Sequence, residues 1–594
     1  MYQGNFTYKK LALAVILASG LLVGCSDSDN INESEPAAPP VAEAIENPVS
    51  LVFQSTDTGV LTNQDVTFTL KGDQVGFLFV QGAEEDATKA TAASKTYTAK
   101  SGTVQVSRKD GASVNEFNLE LHATSTGYFA TGLNVRVPAK SEGVAGQEGA
   151  SFDVFFTPLA PTNTETAVAA AKATISSDAG GAVGSDITIE TPLPAPGSAN
   201  AGALANAKVK MSIPGGTQLL NAKGEPVTGT ITANVVHFSN EPNGNENNQS
   251  VLEAFPGGLE PDVILDTNGN ADPALAGGGF ISAGFTAIQL QNEVGDVVAQ
   301  FDQPITLSFD VAADTINPDT GNKIQTGDTI PVWSYDETTG RWKTEGTGTV
   351  GAFNAANNTF TLVKQVTHLS YYNLDFWWAA RCRANIKFEE VNGNPYNPKV
   401  IFTRAGGGWT KGIYIRGMDT HTFNNIPATG AGKFQVVSRS NFNQGLIQQV
   451  RDKDGNVLTI NRDNSITHNF CELDGATVRI ESPATRTLNV SLQSTCNDND
   501  LTTAQPGIVE VYSQDLRRYF GSITPTADTA GSIRLAINNY RLKGTIYTEK
   551  FGTQQQDVNI SITGDTSTTI TFPIEVCGTA TGTGSTGASG STGD

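Results

Sequence analysis

Two tripeptides place a histidine two residues ahead of a serine: His368-Leu369-Ser370 and His237-Phe238-Ser239. At such a spacing the histidine could deprotonate the hydroxyl. The oxygen would then attack the carbonyl of its own preceding residue, leaving an ester for water to split. A cut at Leu369–Ser370 requires a distorted peptide, whereas a regular strand holds the bond planar and inert. In a strand, a spacing of two also puts both side chains on one face without contact. The triplet occurs twice, and strands rich in aromatic and small polar residues produce it readily. The reading is therefore a strand and an intact polypeptide, with self-cleavage as the alternative.

Other reactive groupings are sparse. Asp266, Asn268, Asn270 and Asp272 space oxygens like the opening of a calcium loop, but the sixth-position glycine is missing and Gly277 stands where the bidentate glutamate belongs. A polar turn is expected there, with no metal and no cofactor. His122 falls on the polar face of its strand, where water is expected, and His421 and His468 have no metal-site partners nearby in sequence. GAGKF (Gly430–Phe434) lacks the first glycine and the hydroxyl residue of a phosphate loop, so it reads as a strand-entry turn. A carbohydrate-active enzyme would need two opposed carboxylates that spacing does not display. The chain reads as a non-enzyme.

The N-terminus holds the clearest chemical signal. Lys9 and Lys10 precede the apolar run Leu11–Val23, which is too short to span a bilayer as a stable anchor. Leu22-Val23-Gly24-Cys25 resembles the lipobox of bacterial lipoproteins, which implies removal of residues 1–24, acylation of Cys25 and a lipid anchor in the membrane. Ser26 follows the cysteine, and by the same resemblance the outer membrane is favoured. Residues 25–48 are acidic and proline-rich, the composition of a disordered tether.

A net charge of −22 argues against nucleic acid as a main partner. Within it lies one basic stretch: from Arg381 to Arg451 there are ten basic residues against three acidic ones, with Tyr396, Trp409, Tyr414 and Phe423 interleaved. Arg381, Arg383, Lys399, Arg404, Lys411 and Arg416 could form a face for an anionic envelope polysaccharide, or could dock onto an acidic neighbouring domain. The four cysteines beyond Cys25 (Cys382, Cys471, Cys496 and Cys577) form an even set for an oxidising compartment. Three connectivities are open, and sequential pairing is the expectation.

The elements that position these residues are strands. Val66, Phe68 and Leu70 alternate with threonines, Phe117, Leu119 and Leu121 with polar residues, and Val558, Ile560 and Ile562 do the same near the end. DKDGN (Asp452–Asn456) is a hairpin signal. Thr166–Ser176 is the one helix-like stretch. The result is an all-β chain of tandem sandwiches at 49–160, 161–380, 381–475 and 476–577, behind the signal peptide and tether and ahead of a Gly/Ser/Thr-rich tail, 578–594.

MSIPGGTQLLNAKGEPVTGTITANVVHF (Met211–Phe238), EAFPGGL (Glu253–Leu259), the stretch Gly277–Val298, Ile330–Val350 and THLSYYNLDFW form an ordered series. That order resembles the extracellular region of cartilage intermediate layer proteins and of many bacterial lipoproteins, and more distantly the paired sandwiches of ankyrins and netrin receptors. Cys382–Ser438 looks like a carboxypeptidase-regulatory-like domain of transthyretin type, which carries no peptidase residues. Adhesion-receptor stalks, and a death-domain adaptor related to the ankyrin-type sandwiches, cut themselves at His-Leu or His-Phe followed by Ser or Thr, which is the resemblance behind the self-cleavage alternative. The resemblance implies binding, adhesion or scaffolding at a cell surface, with polysaccharide or another surface protein as partner.

Overall fold

The computed structural model describes residues 38–42 and 48–577, except 57, 141–148, 161–167, 194–206, 241–249, 337–338, 394–395, 429, 440, 442–443, 516, 549 and 576. Cys25, the signal segment and the tail 578–594 lie outside the described residues.

Strict alternation builds the first domain. Val66–Lys71 reads buried and half-exposed in turn, and it sits between Ser94–Ala99 and Phe117–Ser125. A second sheet carries Val49–Ser55, Thr103–Arg108 and Leu78–Gln81, and packs on the first through Phe53, Phe68 and Phe156. Its last strand, Ala150–Phe156, returns parallel to the first, Val49–Ser55. The third and fourth domains repeat that closure. Arg381–Glu390 lies parallel to Thr477–Ile480, and Thr485–Cys496 lies parallel to Thr566–Ile574.

In the second domain, Val168–Ser177, Gly229–Phe238, Gly279–Asn292, Tyr371–Trp378 and Thr329–Asp336 form one face. Thr359–His368, Gln300–Ala312, Val209–Ile213 and Ile187–Glu190 form the other, and the long strand Arg341–Asn354 bends from one sheet into the other. The stretch read as helix-like, Thr166–Ser176, is instead the strand Val168–Ser177, paired residue for residue with Gly229–Phe238. Its alanines favour helix, but ten paired positions outweigh propensity. The aromatic run supplies the last strand of the domain. Tyr371–Trp378 is inserted centrally between Gly279–Asn292 and Thr329–Asp336, with Tyr371, Tyr372 and Phe376 buried.

Two domain boundaries differ from the composition reading. Thr477–Ile480 belongs to a third-domain sheet, so that domain extends past residue 475 and the fourth begins with Thr485–Cys496. Within the stretch read as a disordered tether, residues 38–42 lie on the fourth domain. The Ala42 N–H donates to Gln505 Oε1 at 2.6 Å, and Gln505 Nε2 donates to the Pro40 carbonyl at 2.8 Å. Proline-rich composition predicts extension, and here the extended segment finds side-chain partners. Cys382 bonds to Cys471 and Cys496 to Cys577, one bridge in each of the last two domains.

Five hairpin turns share one chemistry. Asp178, Asn221, Asp266, Asn292 and Asp452 each accept from the backbone N–H groups two and four residues on. A glycine at positive φ stands three residues on in each, from Gly181 to Gly455. The side chain mimics a backbone turn and the glycine supplies the left-handed step.

Candidate functional site

Part of the basic stretch of the third domain is turned inward. Lys399 opens the strand Lys399–Arg404 and is only 4% exposed. Its Nζ lies 3.2 Å from Glu253 Oε1, on the short turn Val251–Ala254 of the second domain. On the facing strand, Gly412 makes room, since a Cβ there would come within 2.5 Å of Lys399 Cε. Tyr414 lies under both cations, 5.7 Å from Lys399 Nζ and 4.6 Å from Arg439 Cζ. From the first domain comes Asp153, which accepts from Gln54 Nε2 at 2.5 Å. Arg439 donates to the Phe520 carbonyl of the fourth domain. All four domains thus meet at one ionic cluster of two carboxylates and two cations.

Its electrostatics follow from burial and pairing. Burial raises the Asp153 carboxyl to about 6, with Lys399 and Arg439 opposing and Glu253 adding to the rise. Burial alone would lower Lys399, but Glu253, Tyr414 and Asp153 hold it above the ordinary lysine range. Burial with Asp153 nearby pushes Tyr414 up to about 12. A paired buried cluster of this kind contributes little net stability, yet removing one member leaves an uncompensated charge. It fixes how the domains sit.

Lys411 pairs with Glu260 of the second domain at 2.8 Å. Arg404 donates to the Gly407 carbonyl at 3.0 Å and to the Ile316 carbonyl at 3.4 Å. Arg381 donates to the carbonyls of Trp378 and Asn425, both at 3.2 Å. Arg383 and Arg416 remain exposed. The six residues therefore do not share one outward face. Lys399, Arg404 and Lys411 are joint residues, and the docking alternative describes them.

Beside the cluster, the hairpin loop Arg404–Trp409 plugs the second domain. Gly406, Gly407 and Gly408 all have φ near +80°, so the loop needs three residues without a Cβ. The Gly408 carbonyl accepts from the Ser282 N–H at 2.8 Å, and its own N–H donates to the Asn240 carbonyl at 2.9 Å. Trp409 is 1% exposed, in a core shared by the second and third domains. Below the plug, Asp375 is fully buried beside Asn373, and burial raises its carboxyl to about 8.

The His-Leu-Ser segment is not a strand. His368 ends Thr359–His368, and the chain turns at Leu369–Ser370 before Tyr371–Trp378 begins in the opposite sheet. The corner is tied down. The Leu369 N–H donates to Ala299 O at 2.9 Å, and the Ser370 hydroxyl donates to the Tyr335 carbonyl. His368 Nε2 faces Glu345 Oε1 at 3.5 Å instead. Burial lowers the His368 pKa, with Glu345 opposing. His237 is fully enclosed on Gly229–Phe238, and burial lowers it to about 4. His122 is also corrected: it is not solvated but sits in the joint of the first and second domains, 6.3 Å from the Tyr335 ring. Burial takes it down to about 4.

Asp266 accepts from the N–H groups of Asn268 and Asn270, and Asp272 accepts from the Ala274 N–H at 2.9 Å. Uncharged Asn221 and Asn292 do the same work in sister turns, so the turn itself requires no charge at position 266. Cys496, Asp498 and Cys577 also lie together, but both sulfurs are in the disulfide. Reading from sequence missed Asp153 and Glu253, which are more than a hundred residues from Lys399. The visible signal was Glu253 itself, inside the EAFPGGL segment.

No family model and no curated protein matches the chain. Among solved structures it is similar to the TIE protein of Bacillus anthracis, at 10% identity and a TM-score of 0.13, over 68% of this chain and 57% of that one. It is similar to BcpA, the major pilin subunit of Bacillus cereus, at 9% identity and 0.14, over 89% and 99%. The pilus adhesin SpaC from Lactobacillus rhamnosus GG gives 8% and 0.12, over 87% and 57%. The chain spans a little over half the length of the first and third of these.

Proposed function

We propose that the chain is a lipid-anchored protein of the bacterial outer membrane with a binding, adhesion or scaffolding role rather than a catalytic one. The observation that carries this reading is the inward turn of the reactive and charged side chains. Lys399, Glu253, Asp153 and Arg439 lock four domains together, and Ser370 and His368 are held apart by other partners. A body built so that its polar chemistry fixes domain positions suits presentation of a surface at a fixed geometry. The lipobox resemblance at Cys25 supplies the anchor, and the likeness of 161–380 to extracellular cartilage-intermediate-layer modules supports the adhesive role.

Cells carrying wild type and Cys25→Ser test it. Wild type should fractionate with outer membranes and increase retention of intact cells on partner cells or envelope polysaccharide, while Cys25→Ser should lose both. Membrane fractionation that survives Cys25→Ser overturns the anchor. Equal retention of cells with and without the protein overturns the adhesive role.

A further inference from the structure

The described part of the chain begins on the fourth domain, not the first. Besides the Gln505 bonds, the Pro39 carbonyl accepts from Thr503 Oγ1 at 3.1 Å, and Ala42 is buried within the fourth domain's core. Residues 39–42 run alongside Thr502–Gln505, whose start lies against Cys496. Followed from Ala42 back to Ala38, the described chain points toward the Cys496–Cys577 end of that domain, where the Lys550 ammonium donates to the Cys577 carbonyl at 3.2 Å. Twelve residues stand between Cys25 and Ala38, thirteen steps along the chain. At full extension these reach about 45 Å.

The joints then set the order of the body. The fourth domain meets the first through Tyr519–Ser50, Tyr512–Thr103 and Gln105–Glu510, and meets the third through Arg439. The second domain meets the first through Arg341–Glu120 and the third through Lys399–Glu253 and Lys411–Glu260. First and third domains thus stand between second and fourth. Within the second domain, the strand Gly279–Asn292 starts at the plug and runs outward for fourteen residues. At about 3.4 Å per residue it ends roughly 45 Å further on. There the turn Asn292–Asp296 exposes Val294 at 78%, beside the turn Asn221–Glu225.

We infer that the molecule stands on a lipid bilayer on its fourth domain and presents the second domain outward, with the turns around Val294 and Asn221 as its far tip. This rests on the proposed lipid anchor at Cys25 and adds the orientation. Full-length protein carrying Thr553→Cys, at the disulfide end of the fourth domain, or Val294→Cys, at the far tip, is extracted from membranes, labelled with a donor dye and reconstituted into phosphatidylethanolamine/phosphatidylglycerol vesicles containing an acceptor lipid. Both labelled proteins should float with the vesicles, and energy transfer should be several-fold stronger from position 553 than from 294. Flotation with equal transfer, or stronger transfer from 294, overturns the orientation while leaving the anchor standing. Failure to float overturns the anchor reading itself. The double variant Thr503→Val with Gln505→Ala should still float but show a smaller difference between the two positions; an undiminished difference overturns the part given to residues 39–42.

Discussion

A serine whose hydroxyl already donates to a main-chain carbonyl must break that bond before it can act as a nucleophile. Ser370 is in that state, and its neighbouring histidine faces a glutamate. Freshly purified mature protein should therefore run as one band on a denaturing gel, unchanged in Ser370→Ala; fragments that vanish in that variant would refute the reading. Asp375 gives a pH prediction. Its carboxyl is raised to about 8 in the folded chain, so its contribution favours folding at low pH and is lost as pH rises through 8. His122 and His237 act the other way. Lowered to about 4, they contribute stability above the unfolded histidine range that is lost as pH falls from about 6.5 toward 4. Thermal stability should climb on acidification from pH 8.5 to 6.5; below 6 the raised carboxyls of Asp153 and Asp310 oppose the two histidines and the curve should level. Asp375→Asn should flatten the alkaline limb alone. At this scale the cysteines were legible because an even set has few solutions. His122 was not, because alternation distinguishes the two faces of a strand without saying whether the outer one meets water or another domain.

Elements are governed here by turns and by one loop. Gly408 has φ +80°, and a Cβ would lie 2.2 Å from the Ser282 carbonyl oxygen. Gly408→Ala should cost about 1–3 kcal/mol from backbone strain alone, with more from the clash. Limited proteolysis should then cut near residue 405, where wild type resists. The turn at Asp266 gives the opposite expectation. Asp266→Asn keeps both backbone bonds, as Asn221 and Asn292 already show, and should shift stability by less than about 0.5 kcal/mol. Adding calcium should leave the melting temperature of wild type unchanged; a calcium-dependent rise abolished by Asp266→Asn would restore the cation reading. Strands with one face buried, such as Val66–Lys71, were the most legible elements, since their period-two alternation shows in the sequence. Val168–Ser177 escaped because its alanines carry no alternation, and only the partner Gly229–Phe238 determines its form.

For the whole molecule, the cluster at Lys399 sets the stability of the assembly. Lys399→Met should destabilise by about 3–5 kcal/mol, because Glu253 is left at the joint without its paired cation. Lys399→Met with Glu253→Gln should recover part of that loss, a coupling that a double-mutant cycle measures directly. Simple additivity of the two losses would show that the pair is not a unit. None of this was legible in the sequence beyond the excess of positive charge between Arg381 and Arg451. Composition reveals that a domain is basic, but which carboxylates answer it depends on contacts between residues far apart in the chain.

The parallel closure of the first, third and fourth domains has a mechanical meaning. When the opening and final strands of a domain lie parallel and adjacent, its entry and exit points are at opposite ends of that pair. A pull applied through the two ends of the first domain then drags Val49–Ser55 and Ala150–Phe156 past each other lengthwise. The seven registered positions of that pair resist together rather than opening one at a time from an end, as a zip does. The domain is thus built to bear tension along its strands. Single-molecule pulling through the ends of the first domain should show a high rupture force that drops when the register is interrupted by Val154→Pro.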